Sequence, residues 1–97
     1  MTYKYKVDFT TEFKKEYKKI KKQGKDLGKL KNIIEKLACG IILEQKFKDH
    51  KLLDNRKFKD CRECHIEPDW LLVYRIKETE LILLLIETGS HSELFNK

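Results

Sequence analysis

The three histidines of the chain, His50, His65 and His91, are its side chains best suited to acid–base chemistry. Imidazole accepts or donates a proton near neutral pH, which few other groups do. Cleavage of RNA uses this chemistry: a base takes the proton of the ribose 2′-OH, an acid protonates the leaving 5′-oxygen, and cationic donors hold the charge that grows on the phosphate. Such a reaction needs neither a metal nor a cofactor, and we expect none. Each histidine alone is weak evidence, because a lone surface histidine is more often structural or incidental.

The surroundings of His65 suggest an open groove. Residues 61–67 read as a strand, and alternation places Cys61, Glu63, His65 and Glu67 on one polar face. We therefore expect His65 to face solvent, with Glu63 beside it as a substrate contact. Asp69 follows the strand, near the mouth of the predicted groove.

Residues 61–65, Cys-Arg-Glu-Cys-His, also match the C-x-x-C-H pattern of covalent haem attachment. Haem attachment would require export and usually a second axial ligand, whereas the only methionine is Met1 and no export signal is present. A zinc site on Cys61 and Cys64 is disfavoured, because residues three apart in a strand point to opposite faces. Cys64 is better interpreted as a small core residue.

The N-terminal third predicts a strand and two helices. Apolar and polar residues alternate over residues 3–9, the period of a half-buried strand. Thr10 or Thr11 can cap a helix that Gly24 ends, and Asp26 can cap a second helix that Gly40 ends. Each helix has one apolar stripe and needs a sheet on which to pack. The stripes are Phe13, Tyr17 and Ile20 in the first helix and Leu27, Leu30, Ile33, Ile34 and Leu37 in the second.

The C-terminal half supplies the sheet. The sequence pattern predicts three strands, at residues 61–67, 70–76 and 81–87, with turns at 67–69 and 77–79. Residues 43–59 fit no regular element, and an irregular stretch of that length in a small domain is often functional. The prediction is one α+β domain over residues 1–97, a β-α-α-β-β-β sandwich with a mainly antiparallel sheet and two N-terminal helices packed on it.

The net charge of +6 is concentrated at one end of the chain. Residues 1–36 carry a net charge of +7 and residues 37–97 a net charge of −1. A basic face attracts a polyanion, although a solvated helix surface is equally compatible with charge alone. The longest apolar run, residues 81–86, is far shorter than the roughly 20 residues of a membrane span. Without an apolar signal core, the chain is expected in the cytoplasm with its three cysteines reduced.

Three segments resemble the YafQ branch of the RelE toxin superfamily, and the similarity extends over nearly the whole chain. The block His-x-Glu-Pro-Asp-Trp of residues 65–70 is quite specific. The C-terminal motif Gly-x-His-x-x-Leu-Phe of residues 89–95 follows in the order and position expected for the family, and so strengthens the resemblance. Residues 47–52 complete the pattern.

This resemblance implies a RelE-like fold and a ribosome-dependent endoribonuclease that cleaves mRNA and is neutralised by a cognate antitoxin. Either His50 or His65 is the expected base and His91 the acid, although these roles could be exchanged. The basic helices are expected to contact ribosomal RNA. An alternative is a catalytically silent module of the same fold that binds RNA or antitoxin. The residues that the resemblance assigns to the active site are His50, His65, Asp69, His91 and Phe95, with Trp70 as a groove wall; both aromatic side chains could stack on bases.

One position departs from part of the family. Some members have an arginine two residues before the glycine of the closing motif, where it would bind the phosphate, and this chain has Glu87. The positive charge must then come from elsewhere. Lys48, Lys51 and Arg75 are the candidates, whereas Arg62 is less favoured because its strand face is expected to be buried.

Overall fold

The chain folds into one five-stranded sheet with helices against it. The computed structural model describes residues 2–53 and 55–95. The elements in chain order are β1 (Lys6–Phe9), α1 (Thr11–Lys22), α2 (Leu27–Ala38), β2 (His50–Lys51), β3 (Arg62–Glu67), β4 (Trp70–Lys77), β5 (Ile82–Gly89) and α3 (His91–Phe95).

The strand order is β1-β5-β4-β3-β2, and every neighbouring pair is antiparallel except the parallel pair β1 and β5. Helices α1 and α2 lie between β1 and β2 in the chain. The predicted α+β class, with a mainly antiparallel sheet, is confirmed. No helix among the described residues is long and apolar enough to cross a membrane.

The helix boundaries follow the predicted signals. The Thr10 hydroxyl accepts a hydrogen bond from the N–H of Phe13 at 3.0 Å and caps α1, and the Asp26 carboxylate caps α2. Gly24 and Gly40 have φ angles of +78° and +76°, a left-handed conformation that favours glycine where the chain leaves a helix.

Two apolar clusters lie on opposite faces of the sheet. The larger one joins the stripes of α1 and α2 to the strands, for example through Leu30 and Leu72, which are both almost fully buried. The smaller one contains Phe58, Leu71 and Leu94 and lies beneath residues 55–61 and α3. The face without α1 and α2 is called the open face below.

Strand β1 is shorter and more exposed than predicted. It begins at Lys6, and within residues 3–9 only Tyr5 is buried, whereas Tyr3, Val7 and Phe9 are 56%, 40% and 52% exposed. The reason is position: β1 is an edge strand, which the helices cover only in part. The alternation of apolar and polar residues predicted a strand here, but it did not show that this strand would lie at an edge of the sheet.

A bulge in β5 redirects Glu87. Tyr74 pairs with Leu85 and Val73 pairs with Glu87, so that Ile86 is an extra residue in β5. Because paired residues share a face, Leu85 faces the helices with Tyr74, and Glu87 faces the open face with Val73.

A second irregularity separates Glu67 from His65. The register of β3 shifts between these two residues, and the Glu67 carboxylate forms an ion pair with Lys29 of α2 at 2.9 Å. Glu67 therefore turns toward α2. The predicted common polar face of residues 61–67 is wrong at its last member.

Three short elements were not predicted. Residues 43–53 and 55–59 contain two of them, a 3₁₀ turn at Gln45–Phe47 and the two-residue strand β2, and are otherwise irregular as expected. Helix α3 begins with a reciprocal cap: the Ser90 hydroxyl accepts from the N–H of Glu93, and the Glu93 carboxylate accepts from the N–H of Ser90.

Candidate functional site

Glu63 lies between two of the histidines. His50 pairs with Glu63 across β2 and β3, and its Nε2 is 3.2 Å from Glu63 Oε2. His65 lies two residues along β3, and its Nε2 is 3.8 Å from Glu63 Oε1. Glu63 is only 5% exposed. Its carboxylate therefore faces the two rings, which corrects the predicted role as a direct substrate contact.

Backbone carbonyls hold the other nitrogen of each ring. His50 Nδ1 is 2.7 Å from the carbonyl oxygen of Lys48, and His65 Nδ1 is 3.2 Å from that of Pro68. Carbonyl and carboxylate oxygens only accept hydrogen bonds, so His50 can bond to both of its partners only with a hydrogen on each nitrogen. The contact of His65 with Glu63 is longer than a hydrogen bond, which leaves His65 Nε2 the freer nitrogen of the two.

Asp49 anchors the segment that carries His50. Its Oδ1 accepts a hydrogen bond from the Tyr74 hydroxyl at 2.6 Å and lies 3.3 Å from Arg62 Nε. Burial and the hydrogen bond to Asp49 raise the pKa of Tyr74, so that its hydroxyl keeps the proton it donates. The turn before His50 is thereby tied to the centre of the sheet.

Asp69 brings His91 to the same end of the sheet. Its Oδ1 accepts a hydrogen bond from the backbone N–H of His91 at 3.1 Å, which joins the β3–β4 turn to the start of α3. The exposed ring of His91 lies against Phe95, with 5.0 Å between centroids. Phe95 in turn contacts Phe58 of the smaller cluster, edge to face.

The register of the strands gathers the histidines. His65 pairs with Leu71, and Leu71 pairs with Gly89, so that the three residues form one row across β3, β4 and β5. Two strand spacings separate the Cα atoms of His65 and Gly89 by about 10 Å. His91 follows Gly89 by two residues, and His50 lies beside His65 through Glu63. All three predicted histidines and Asp69 therefore lie at one end of the open face.

Trp70 does not line this face. Its side chain is 1% exposed within the larger cluster, and its Nε1 donates a hydrogen bond to the Thr88 hydroxyl at 3.0 Å. The amine of Lys25 lies 5.7 Å from the centre of the ring. The predicted role of Trp70 as a stacking groove wall is corrected by this burial, because a base cannot reach the ring.

The predicted phosphate-binding cations are not equally placed. Arg75 lies four residues along β4 from Leu71, a distance of about 13 Å, and its Nη2 donates to the Lys59 carbonyl at 2.6 Å. Lys51 alternates with His50 in β2 and so points away from it. These positions favour Arg75 and Lys51 less than Lys48 as phosphate-binding candidates, and all three stay predictions. Lys48 is exposed and adjacent to the His50 turn.

Lys57 is a cation at this face that sequence reasoning missed. Its amine lies 3.1 Å from Glu87 Oε2. Glu87 shares a row with Val73 and Glu63, next to the row of His65. The Lys57 amine therefore lies at the position where some relatives have an arginine, paired with the carboxylate of Glu87. No sequence signal pointed to Lys57, because its position depends on the bulge that turns Glu87 to this side.

Glu16 completes a carboxyl pair with Glu87. Oε1 of Glu16 accepts a hydrogen bond from the N–H of Thr88 at 2.9 Å at the edge of β5. Burial and a hydrogen bond to Glu87 raise the pKa of Glu16 to about 8. Glu87 Oε1 is buried and has no donor among the described residues unless Glu16 carries that proton. One shared proton therefore stabilises the pair.

The cysteines lie apart. Cys61 belongs to the smaller apolar cluster and Cys64 to the larger one, on opposite faces of the sheet, so the two sulfurs cannot share a metal. Burial raises the pKa of both thiols. Among residues 2–53 and 55–95, no group of three or more His, Cys, Asp or Glu side chains is placed to hold a metal ion.

Comparison with known proteins gives consistent matches over nearly the full length. The family described as "Bacterial toxin of type II toxin-antitoxin system, YafQ" matches residues 5–96. The mRNA interferase toxin YafQ of Escherichia coli strain B is 34% identical over 90 residues, which cover 92% of this chain and 94% of the relative.

Solved structures agree with the sequence matches. A metal-bound toxin from Helicobacter pylori is 44% identical, with a TM-score of 0.86 over 94% of this chain and 99% of that chain. YafQ in the E. coli DinJ–YafQ complex is 33% identical, with a TM-score of 0.83 over 94% of this chain and 98% of that chain.

Fold and sequence together define the class as the toxin components of bacterial type II toxin–antitoxin systems. Within that class, the chain belongs to the YafQ family.

Proposed function

We propose that this toxin is an endoribonuclease that cleaves mRNA on the ribosome by attack of the ribose 2′-OH on the adjacent phosphate. The observation that carries the proposal is the pair His50 and His65 on either side of Glu63, with His91 joined to the same end of the sheet through Asp69. Two imidazoles near one phosphate suffice for this reaction, because one can act as base and the other as acid.

The contacts favour particular roles. His65 is the base, since its Nε2 is held only loosely by Glu63. His91 is the acid, because its exposed ring can reach a leaving oxygen, and Phe95 orients both the ring and the neighbouring nucleotide. His50 contacts the Lys48 carbonyl and Glu63 through its two ring nitrogens, and it therefore holds Glu63 in place beside His65.

Positive charge for the transition state comes from lysines near the histidines. Lys57 at Glu87 and Lys48 beside His50 are the cations on or next to this face that the contacts favour. Charge that develops on phosphate oxygens is stabilised most by donors already in position.

The test is a translation mixture with a defined message, with and without ribosomes. His65→Ala and His91→Ala should each lower the cleavage rate at least about 100-fold. Glu80→Ala, in the exposed turn between β4 and β5, is the matched control and should cleave like the parent chain. Ribosome-dependent cleavage that survives both histidine changes would contradict the mechanism.

The second candidate is a silent module of the same fold, and the buried acid Glu87 favours it, because an acid stands where some relatives have an arginine. Message that stays intact while the ribosome remains bound would support this alternative.

We further propose a protein antitoxin as partner, since the E. coli relative has been crystallised with DinJ. Co-purification with the product of a neighbouring gene, together with loss of cleavage in that complex, is the expected result.

A further inference from the structure

A groove of about 480 Å³ opens beside His65, outside the histidine face. Its walls are α2, the 3₁₀ turn Gln45–Phe47 and the outer edge of β3. A cavity of this size is within the range that holds a small organic ligand, and one nucleotide fits it. His65 is one of the lining residues, so the groove adjoins the residue at which the proposed cleavage takes place.

The outer edge of β3 is open along this groove. Strand β2 pairs only with Arg62 and Glu63, so that residues 64–67 have no strand partner on that side within the described part of the chain. The backbone groups of these residues that point away from β4 therefore have no strand partner among the described residues and could bond to a ligand. A four-residue edge closed by β2 at one end and by the Pro68 turn at the other is short for an added peptide strand, which favours a compact ligand.

The lining has an apolar floor and a cationic rim. Ile33 and Ile66 are 1% and 6% exposed at the floor, and the ring of Phe47 is half-buried beside them. Exposed amines of Lys46 and Lys48 stand on the 3₁₀ side. A flat apolar surface below charged amines suits a nucleobase with its phosphate attached.

The opposite rim carries a polar side chain that can form hydrogen bonds with a base, and it adds little negative charge. Asn32 of α2 is exposed, and its amide can donate to and accept from a base edge. Glu67 is the only acid in the lining, and Lys29 pairs with it at 2.9 Å. The groove therefore keeps a net positive charge.

The groove wall is fixed to the histidine site. The carbonyl of Lys48, a residue with a left-handed φ of 48°, is bonded to His50 Nδ1. Movement of the lysine-bearing turn would therefore disturb His50. A ligand bound to this turn is therefore held at a fixed position relative to the histidines.

We propose that this groove binds the nucleotide next to the scissile phosphate of a single-stranded RNA. The base packs on the half-buried ring of Phe47, Asn32 contacts the edge of the base, and Lys46 and Lys48 contact the adjoining phosphate. This inference rests on the proposed nuclease function, because it takes His65 as the point of cleavage.

The binding test uses short RNAs that cannot be cleaved, with a 2′-deoxy sugar before the scissile phosphate. Amide resonances of the full-length protein are followed by NMR during titration. An RNA that includes the flanking nucleotide should shift the resonances of Asn32, Lys46 and Ile66, and an RNA shortened by that nucleotide should not. Shifts confined to the histidine face or to α1 would overturn the proposal. An acidic peptide that shifts the groove when RNA does not would also overturn it.

The kinetic test compares two lysines of equal charge. Lys46→Ala should raise the KM for message about three- to tenfold, with kcat kept within about twofold, as expected for the loss of one phosphate contact. Lys31→Ala, on α2 but outside the groove, is the matched control and should leave KM unchanged at the same salt. If the two changes had equal effects on KM, those effects would come from general electrostatic attraction and not from the groove, and the proposal would be contradicted.

A third variant tests the reading of the base. Asn32→Ala should weaken any preference for the flanking base without changing the site of cleavage, and an unchanged preference would contradict a reading role. The two proposals can fail separately. Cleavage that persists in His65→Ala overturns the nuclease mechanism, whereas histidine-dependent cleavage with groove variants that behave like Lys31→Ala overturns only the groove.

Discussion

At the scale of single residues, Glu63 is the side chain whose role changed most between sequence and structure. It is buried between His50 and His65, so it acts by positioning the rings. We expect Glu63→Gln to lower kcat about 10- to 100-fold with little change in KM, because the neutral amide cannot stabilise the positive charge that His65 gains when it takes the proton. Single-turnover cleavage over a range of substrate concentrations measures the two separately. A higher KM with an unchanged kcat would instead mean direct contact with RNA.

Trp70 gives a prediction about stability. Trp70→Ala removes a fully buried indole and should lower the free energy of unfolding by about 3–5 kcal/mol. Trp70→Phe keeps most of the packing and loses the hydrogen bond to Thr88, with an expected cost of about 1 kcal/mol. Urea unfolding measures both. The phenylalanine variant should cleave RNA normally, and loss of cleavage in a folded Trp70→Phe protein would restore a functional role for the indole.

The candidate histidines could be found from sequence because imidazole is rare and the surrounding motifs resemble a known family. Their roles remain predictions. Lys57 and Glu16 could not be found, because both act through Glu87, whose direction depends on one extra residue in β5. The distance of Arg75 from His65 could not be predicted either, because it depends on the pairing register, which charge and composition do not encode.

At the scale of elements, the N-cap residue Thr10 attaches α1 to the sheet. The Thr10 hydroxyl caps the helix and also donates a hydrogen bond to the carbonyl of Ile86 in β5. Thr10→Ala should therefore cost about 1–2 kcal/mol of unfolding free energy, toward the upper end for a lost cap. Thr11→Ala, one residue into the helix, is the control and should cost less. Equal effects in thermal or urea unfolding would contradict the capping role.

The same helix predicts a dependence of stability on pH. Glu16 faces Glu87 and the N–H of Thr88, with Glu12 and Lys19 near it on α1. Its pKa rises from 4.5 to about 8 on folding, so the folded state holds the proton more tightly. The stabilisation is fully present below about pH 4.5 and is lost as the pH rises through about 8.

Glu16→Gln tests this dependence. The amide keeps an acceptor for Thr88 and offers a fixed donor to Glu87, so the variant should not lose stability between pH 5 and pH 8.5 through this pair. At pH 8.5 its Tm should exceed that of the parent chain by several degrees, roughly what 1 kcal/mol produces in a domain of this size. Parallel pH profiles of the two proteins would contradict a shared proton.

Elements with strong local signals were predictable, and those that depend on tertiary contacts were not. Caps and glycines defined both long helices, and dense apolar runs defined β3 to β5. The two-residue β2 has no pattern of its own and forms because Glu63 and Arg62 offer a partner edge. Helix α3 did have a signal, the spacing of Ser90 and Glu93, which identifies a capping box.

At the scale of the whole molecule, charge and chemistry occupy different surfaces. The histidines lie on the open face, whereas the excess positive charge of residues 1–36 lies largely on helices across the sheet. Lys14, Lys18 and Lys21 follow one exposed side of α1. We expect this side to contact ribosomal RNA while the open face receives the message.

This division predicts how ribosome binding depends on salt. Each phosphate contact that is lost lowers the slope of log K against log salt concentration by about 0.7–0.9. Changing Lys14, Lys18 and Lys21 together to Gln should therefore reduce the slope by about two to three. The measurement is equilibrium binding to ribosomes at several salt concentrations. Cleavage per bound toxin should stay unchanged, because none of the three lysines forms an ion pair with the histidine site in the described part of the chain.

Lys77→Gln is the matched control for a change of charge, since it lies at the far end of β4 from the histidines and outside both helices. It should leave the slope nearly unaltered. Binding that ignores salt would mean that α1 is only a solvated surface, and the attraction would have to come from the open face. If the triple variant kept its affinity for the ribosome but lost cleavage, the exposed side of α1 and the open face would act as one site. The separation of charge and histidines across the sheet argues against this outcome.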